Sequence, residues 1–277
     1  GTILTEETFA CSLHEGRIEN IPAGVDLDIV IDGLSEDNIL LYRGQMQGVS
    51  IPAWETRDLG TIELNWVDFS EADFKGTWYG HGLYTGDWHA WFYSEMTLDA
   101  SGSGSEAYFQ SDGSSGTITT NQLVISSNGT ITSPSKKTLH GALSNDKNLM
   151  TMTGTYPEDD SGIYLLMVYL KAGTNFVQSD LEGTWYGHSL ISGLYPGWEY
   201  STLTVDESGN ATFSSVESDD TADIDQNPGR LSINGDGILT VSDNSSLHGI
   251  MSADKNIFVA TETSEEGDEY FLHIFVK

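Results

Sequence analysis

The chain has 277 residues, with 42 acidic against 11 basic side chains and a net charge of −31, which excludes unaided binding to nucleic acid or to an anionic membrane surface. Aromatic residues at 10% and apolar residues at 38% set it apart from a disordered acidic tail. The single cysteine, Cys11, excludes an internal disulfide framework and any multi-cysteine metal or haem site, and no apolar run approaches the ~18 residues that a membrane helix needs.

Residues 1–66 read as strands. Leu27 to Asp32 alternates in part, Asn38 to Gly44 continues the pattern, and Thr61-Ile62-Glu63-Leu64 closes it, with Pro22-Ala23-Gly24 and Pro52-Ala53-Trp54 as punctuation. The stretches Ile21-Pro22-Ala23-Gly24, Leu41-Tyr42-Arg43-Gly44 and Leu59-Gly60-Thr61-Ile62 resemble the second half of the prealbumin-like or immunoglobulin-like β-sandwich modules of bacterial surface proteins. In those modules further strands precede this point. The resemblance implies a partial β-sandwich over residues 1–66 whose open edge takes a strand from another chain, because strand addition satisfies unpaired backbone groups and gives specific assembly. The partner expected is therefore a protein, or a second copy, acting through residues 1–66. The alternatives are that the strands suffice alone, or that a precursor was cut and its pieces stay together.

After a linker at 67–72 the chain is one domain written twice. Gly76-Thr77-Trp78-Tyr79-Gly80-His81 returns as Gly183-Thr184-Trp185-Tyr186-Gly187-His188, 107 positions later, and Leu139-His140-Gly141 answers Leu247-His248-Gly249. The matched ends place the units at 73–171 and 180–277, joined by a linker at 172–179. In both units short runs alternate with a period of two: Ser94, Met96 and Leu98 against Tyr93, Glu95 and Thr97, then Ser201, Leu203 and Val205 against Thr202 and Thr204. Asn128-Gly129, Asn234-Gly235 and Asp236-Gly237 are hairpin signals, and Ser144 to Asn148 reads as a hairpin with Asn at its left-handed corner. About eight short antiparallel strands fit each unit. The expectation is all-β: a partial β-sandwich followed by two tandem antiparallel up-and-down β-barrels, with sandwiches as the alternative. Gly-Thr-Trp-Tyr resembles the first strand of avidin and lipocalin barrels, where a Gly-x-Trp motif packs its Trp over the closed end. The final strands, Ile163 to Leu170 and Tyr270 to Val276, are apolar on both faces. One face must therefore pack outside its own barrel, against the other unit, the N-terminal region or another molecule.

Chemistry is sparse. Gly-x-Ser-x-Gly, His-Glu-x-x-His and phosphate-loop motifs are absent, so the chain reads as non-enzymatic. His81 with His140, echoed by His188 with His248, is the recurring polar set, but parity puts these side chains on outer faces, on strands too far apart for one ion. The cation expected, if any, is calcium, at Asp219, Asp220, Asp223, Asp225 and Asn227, where Asp223-x-Asp225-x-Asn227 imitates the start of an EF-hand loop although Pro228 stands in place of its Gly. Tyr84, Trp88 and Trp91, with Trp198 in the second copy, are the ligand-binding candidates; aromatic platforms on acidic β-domains suit carbohydrate. Low Lys with abundant Ser, Thr, Gly and Asp points to an extracellular or cell-surface location in bacteria. The function expected is that of a structural or adhesive subunit of a filament-like or pilus-like assembly, and the alternative is an extracellular carbohydrate-binding protein using the barrel mouths and exposed aromatics.

Overall fold

The computed structural model describes residues 7–9, 24–34, 40–53, 55–66, 69–120, 122–155, 162–219, 222–225, 229–242, 246–264 and 266–277. The chain is all-β and divides into two compact units, Gly1–Val67 and Asp68–Lys277.

The first unit holds a three-stranded antiparallel sheet of β1 (Gly24–Leu34), β2 (Leu40–Ile51) and β3 (Asn65–Trp66), in that order. β1 and β2 are cross-linked by the pair Asp32–Arg43, whose guanidinium donates two hydrogen bonds of 2.7 Å each. That exposed pair contributes little to stability. Residues 61–64, expected as a strand, are not one: they lie across β2 without ladder pairing. Gly44 shows why the approach is close, since a Cβ there would stand 2.5 Å from the Glu63 carbonyl. Val49 is buried in this unit.

The second unit contains both repeats. Repeat 1 runs through β4 (Gly76–Gly86), β5 (Ala90–Leu98), β6 (Gly104–Gln110), β7 (Ser115–Thr120), β8 (Val124–Ile125), β9 (Thr130–Ser133), β10 (Lys136–Leu143), β11 (Leu149–Thr155) and β12 (Ile163–Lys171). Repeat 2 runs through β13 (Gly183–Gly193), β14 (Gly197–Val205), β15 (Ala211–Glu217), β16 (Ala222–Asp225), β17 (Leu231–Ile233), β18 (Ile238–Val241), β19 (His248–Met251), β20 (Ile257–Thr263) and β21 (Glu269–Val276). The spatial orders are β7-β6-β5-β4-β12-β11-β10-β9-β8 and β16-β15-β14-β13-β21-β20-β19-β18-β17. Each sheet is an up-and-down meander that curls until its first strand pairs with its last, leaving the parting between the fourth and fifth strands.

Each barrel is filled rather than hollow. Inward glycines on β4 make room for rings: a Cβ on Gly80 would stand 2.3 Å from the Tyr169 ring, and one on Gly82 would stand 2.1 Å from Phe92. One end is closed by a device present in both copies. A 3-10 turn, Glu71–Phe74 or Gln178–Leu181, presents a carbonyl to the indole N–H of the fully buried Trp78 or Trp185, at 2.8 Å in each case. Lys171 and Lys277 lie over those indoles at 5.3 Å and 5.1 Å. The segments expected as linkers belong to the cores, because Phe69 packs into the first barrel and Phe176 into the second.

The Ser144–Asn148 hairpin has its left-handed corner at Lys147 (φ 62°), not at Asn, and Lys255 (φ 62°) repeats it. The side chain supplies the reason. Lys147 pairs with Asp73 at 2.9 Å and caps the Phe69 ring, as Lys255 does with Asp180 at 2.8 Å and Phe176, offsetting a backbone cost of about 1–2 kcal/mol.

Candidate functional site

A third core joins the two repeats. Leu83, Trp91, Val168 and Leu170 of repeat 1 meet Ile250, Val259 and Leu272 of repeat 2, flanked by Tyr79, Tyr93, Phe109 and Ile274. Alternation explains it: β4, β5 and β12 send one set of side chains into their own barrel and the other, equally apolar, set outward. The apolar outer face of the final strands is thus spent on contact between the two units. Each fully buried aliphatic side chain in the seam contributes about 1.5–3 kcal/mol of transfer free energy.

Polar groups fix the seam's register. His81 Nδ1 stands 3.0 Å from Thr261 Oγ1, the Trp91 indole donates to Thr263 Oγ1 at 2.7 Å, and Ser192 Oγ donates to the Tyr84 carbonyl at 2.7 Å while lying 2.8 Å from His89 Nδ1. The His248 ring sits 4.4 Å from that of Tyr93 and 5.4 Å from Trp91. Burial pushes the His81 imidazole down to about 3, with His248 nearby adding to the shift, so His81 is neutral at physiological pH. His81 does lie on the outer face of its own barrel, as its parity indicates, and it is buried there because repeat 2 covers it. The histidine facing it is His248 rather than His140, which is exposed.

The barrel interiors carry two different polar clusters. In repeat 1 the buried Glu106 carboxylate accepts hydrogen bonds of 2.7 Å from Ser94 and from Tyr169. Burial, with Glu106 beside it, holds the Tyr169 phenol well above its ordinary range. In repeat 2 the matching positions are Phe213, Ser201 and Phe275, and the Ser201 hydroxyl has no partner. Four other inward positions change together instead: Gly82, Phe92, Gly154 and Met167 become Ser189, Glu199, Glu262 and His273. Ser189 Oγ donates to Glu199 at 3.1 Å and lies 2.7 Å from His273 Nδ1, while His273 Nε2 stands 3.7 Å from Glu262. Burial lowers the His273 pKa, but the nearby Glu262 and Glu199 charges outweigh it and the net shift is upward; burial raises Glu199. The cluster therefore sets the His273 ring between Glu199 and Glu262, whose charges favour its protonated form.

The aromatic candidates do not form one site. Tyr84 and Trp88 pack together at the mouth of repeat 1, rings 4.8 Å apart, with Tyr84 also 5.6 Å from Phe92. Trp91 is 3% exposed and belongs to the seam, so its ring offers no platform. Trp198 stands on the outer face of β14, half exposed. The acidic loop expected to hold calcium is in part a strand, since Asp223 and Asp225 lie in β16, paired with β15, and extended pairing removes the turn that an EF-hand loop requires. Asp219 precedes it; Asp220 and Asn227 lie outside the described residues. Among the described residues no group of three or more His, Cys, Asp or Glu stands close enough to hold a metal ion, and no helix is long and apolar enough to cross a membrane.

The interior clusters escape a reading of either repeat alone. Overlaying the two copies gives the signal, because four apolar or glycine positions turn polar in concert. No protein-family model matches the chain, and no curated protein matches it.

Proposed function

We propose that the protein is a non-enzymatic structural subunit of an extracellular or cell-surface assembly, joined to its neighbour by strand addition at the N-terminal unit. One observation carries this reading. β1 is an edge strand of 11 residues that pairs, among the described residues, with β2 alone, and it exposes Val30, Ile31 and Leu34. A long apolar edge left open is an aggregation hazard, and an added strand covers it with main-chain hydrogen bonds. The resemblance of residues 1–66 to prealbumin-like modules of bacterial surface proteins supports the same reading, as does the acidic, cysteine-poor composition. The two filled barrels then serve as rigid display units.

Lysines on an edge oppose strand addition. The double variant Val30→Lys, Ile31→Lys in the full chain is expected to abolish the concentration-dependent association that light scattering detects at low ionic strength, and to release any small chain that co-purifies with the native protein. Unchanged association would refute the strand-addition reading.

A further inference from the structure

The seam between the repeats is heterologous: repeat 1 presents β4, β5, β6 and the Val168 and Leu170 end of β12, and repeat 2 answers with β19, β20 and β21. Repeat 2 therefore retains its own copy of the face that repeat 1 has used. Tyr79, His81, Leu83, Trp91, Tyr93 and Phe109 correspond, each 107 positions on, to Tyr186, His188, Leu190, Trp198, Tyr200 and Val216. The strand registers match as well, with His81 opposite Tyr93 and Leu83 opposite Trp91, then His188 opposite Tyr200 and Leu190 opposite Trp198. In repeat 2 all six are exposed, between 41% and 50% for the five apolar and aromatic ones. They form a continuous uncharged patch on a protein of net charge −31, and such patches mark interaction sites.

The complementary half is also present twice. The groups that receive repeat 1 are His248, Thr261 and Thr263, beside Tyr270 and Leu272. Their counterparts on repeat 1 are His140, Thr153 and Thr155, beside Tyr164, in the same cross-strand register: His140 faces Thr153 as His248 faces Thr261, and Thr155 faces Tyr164 as Thr263 faces Tyr270. His140, Thr153 and Tyr164 are exposed. Every hydrogen-bonding pair that crosses the seam from His81 and Trp91 thus has both of its partners repeated, unengaged with one another, on the outward sides of the tandem.

We propose that a second copy of this chain docks the outer face of its β10 and β11, with the Tyr164 end of β12, onto the outer face of β13, β14 and β15 of repeat 2, repeating the polar contacts of the internal seam between molecules. His188 then meets Thr153 of the neighbour, the Trp198 indole meets its Thr155, and its His140 packs on Tyr200. A contact between unlike faces that recurs at each end generates a ring or an open filament rather than a closed dimer. This contact is separate from the β1 edge and does not depend on strand addition. Mutual repulsion of chains this acidic opposes it at low salt, so association strengthens as ionic strength rises.

The test is sedimentation velocity and light scattering of the full chain at about 1 M NaCl, where the screening length falls to about 3 Å. The native protein is expected to rise in mass with concentration from its monomer value of 30.2 kDa. Trp198→Ala with Tyr200→Ala removes one face and Thr153→Arg removes the other; all three positions are exposed, and an unchanged melting temperature confirms folding. Each variant alone, made together with Val30→Lys, Ile31→Lys so that the β1 edge takes no part, is expected to remain a monomer. Mixed, they are expected to form pairs and nothing larger, since each keeps the face that the other lacks. Val30→Lys, Ile31→Lys is expected to leave this association intact. The proposal is overturned if the native chain stays monomeric, if Thr153→Arg associates as the native chain does, or if the association is lost only in the β1 variant. It is equally overturned if the native chain stays monomeric while binding a glycan through Trp198, which makes the patch a carbohydrate platform.

Discussion

Lowering the pH loosens the seam through His81. Its imidazole is buried against repeat 2 with Thr261 at 3.0 Å and His248 nearby, and burial depresses its pKa from 6.5 to about 3. Because the folded value lies below the unfolded one, the unfolded chain binds the extra proton between those limits; stability is full above about 6.5 and falls as pH drops toward 3. At pH 5, about 1.5 pH units below the unfolded value, the loss is about 2 kcal/mol at about 1.36 kcal/mol per unit. The assay is urea unfolding followed by tryptophan fluorescence at pH 8 and pH 5. The comparison is with His81→Gln, which keeps a donor and an acceptor for Thr261 but does not titrate. The difference cancels the carboxylates, whose partial protonation relieves repulsion in both proteins, and it cancels His248, which burial also lowers. The native chain is expected to lose about 2 kcal/mol more than the variant between the two pH values. Equal losses would refute the assignment of His81 as a neutral group sealed in the seam.

Two further outcomes follow from the barrels. Replacing His273 by Met, the residue repeat 1 carries there, leaves Glu199 and Glu262 without their cation and is expected to cost about 3 kcal/mol in chemical denaturation; the combined change Ser189→Gly, Glu199→Phe, Glu262→Gly, His273→Met is expected to recover most of it, and a quadruple variant weaker than the single one would show that the cluster is not a self-contained unit. Lys147→Ala loses the Asp73 ion pair and keeps a strained corner, whereas Lys147→Gly loses the pair alone, so Gly is expected to be about 1 kcal/mol more stable than Ala in thermal unfolding, and the reverse order would place the φ of 62° outside the energetics.

Much of the fold is legible because β-structure writes its faces in a period of two. The alternation of Ser94, Met96 and Leu98, and the Asn-Gly and Asp-Gly turns, mark strands and hairpins locally. Parity even puts His81 on an outer face. It cannot say what covers that face, since the partner, Thr261, lies 180 residues away. The same limit hides Lys147, which occupies a left-handed corner through an ion pair with a residue two barrel strands away from it in space and 74 in sequence, Asp73. At 61–64 an alternating stretch packs without ladder partners, and at β16 an acidic stretch pairs as a strand because its neighbour β15 offers an edge. Composition describes side chains, while pairing is decided by which backbone is adjacent.

Each barrel closes by joining its first strand to its last, β4 to β12 and β13 to β21. During synthesis from the ribosome this sets a strict sequence of events. The first barrel can seal once Lys171 has emerged, yet its outer aromatics stay bare until β19 to β21 have been made, roughly a hundred residues on. At ~5–20 residues per second that leaves an apolar flank uncovered for several seconds in every new chain. A nascent molecule is therefore most adhesive toward its neighbours on a polysome just before β21 emerges, and that strand both shuts its own barrel and shelters the one made before it.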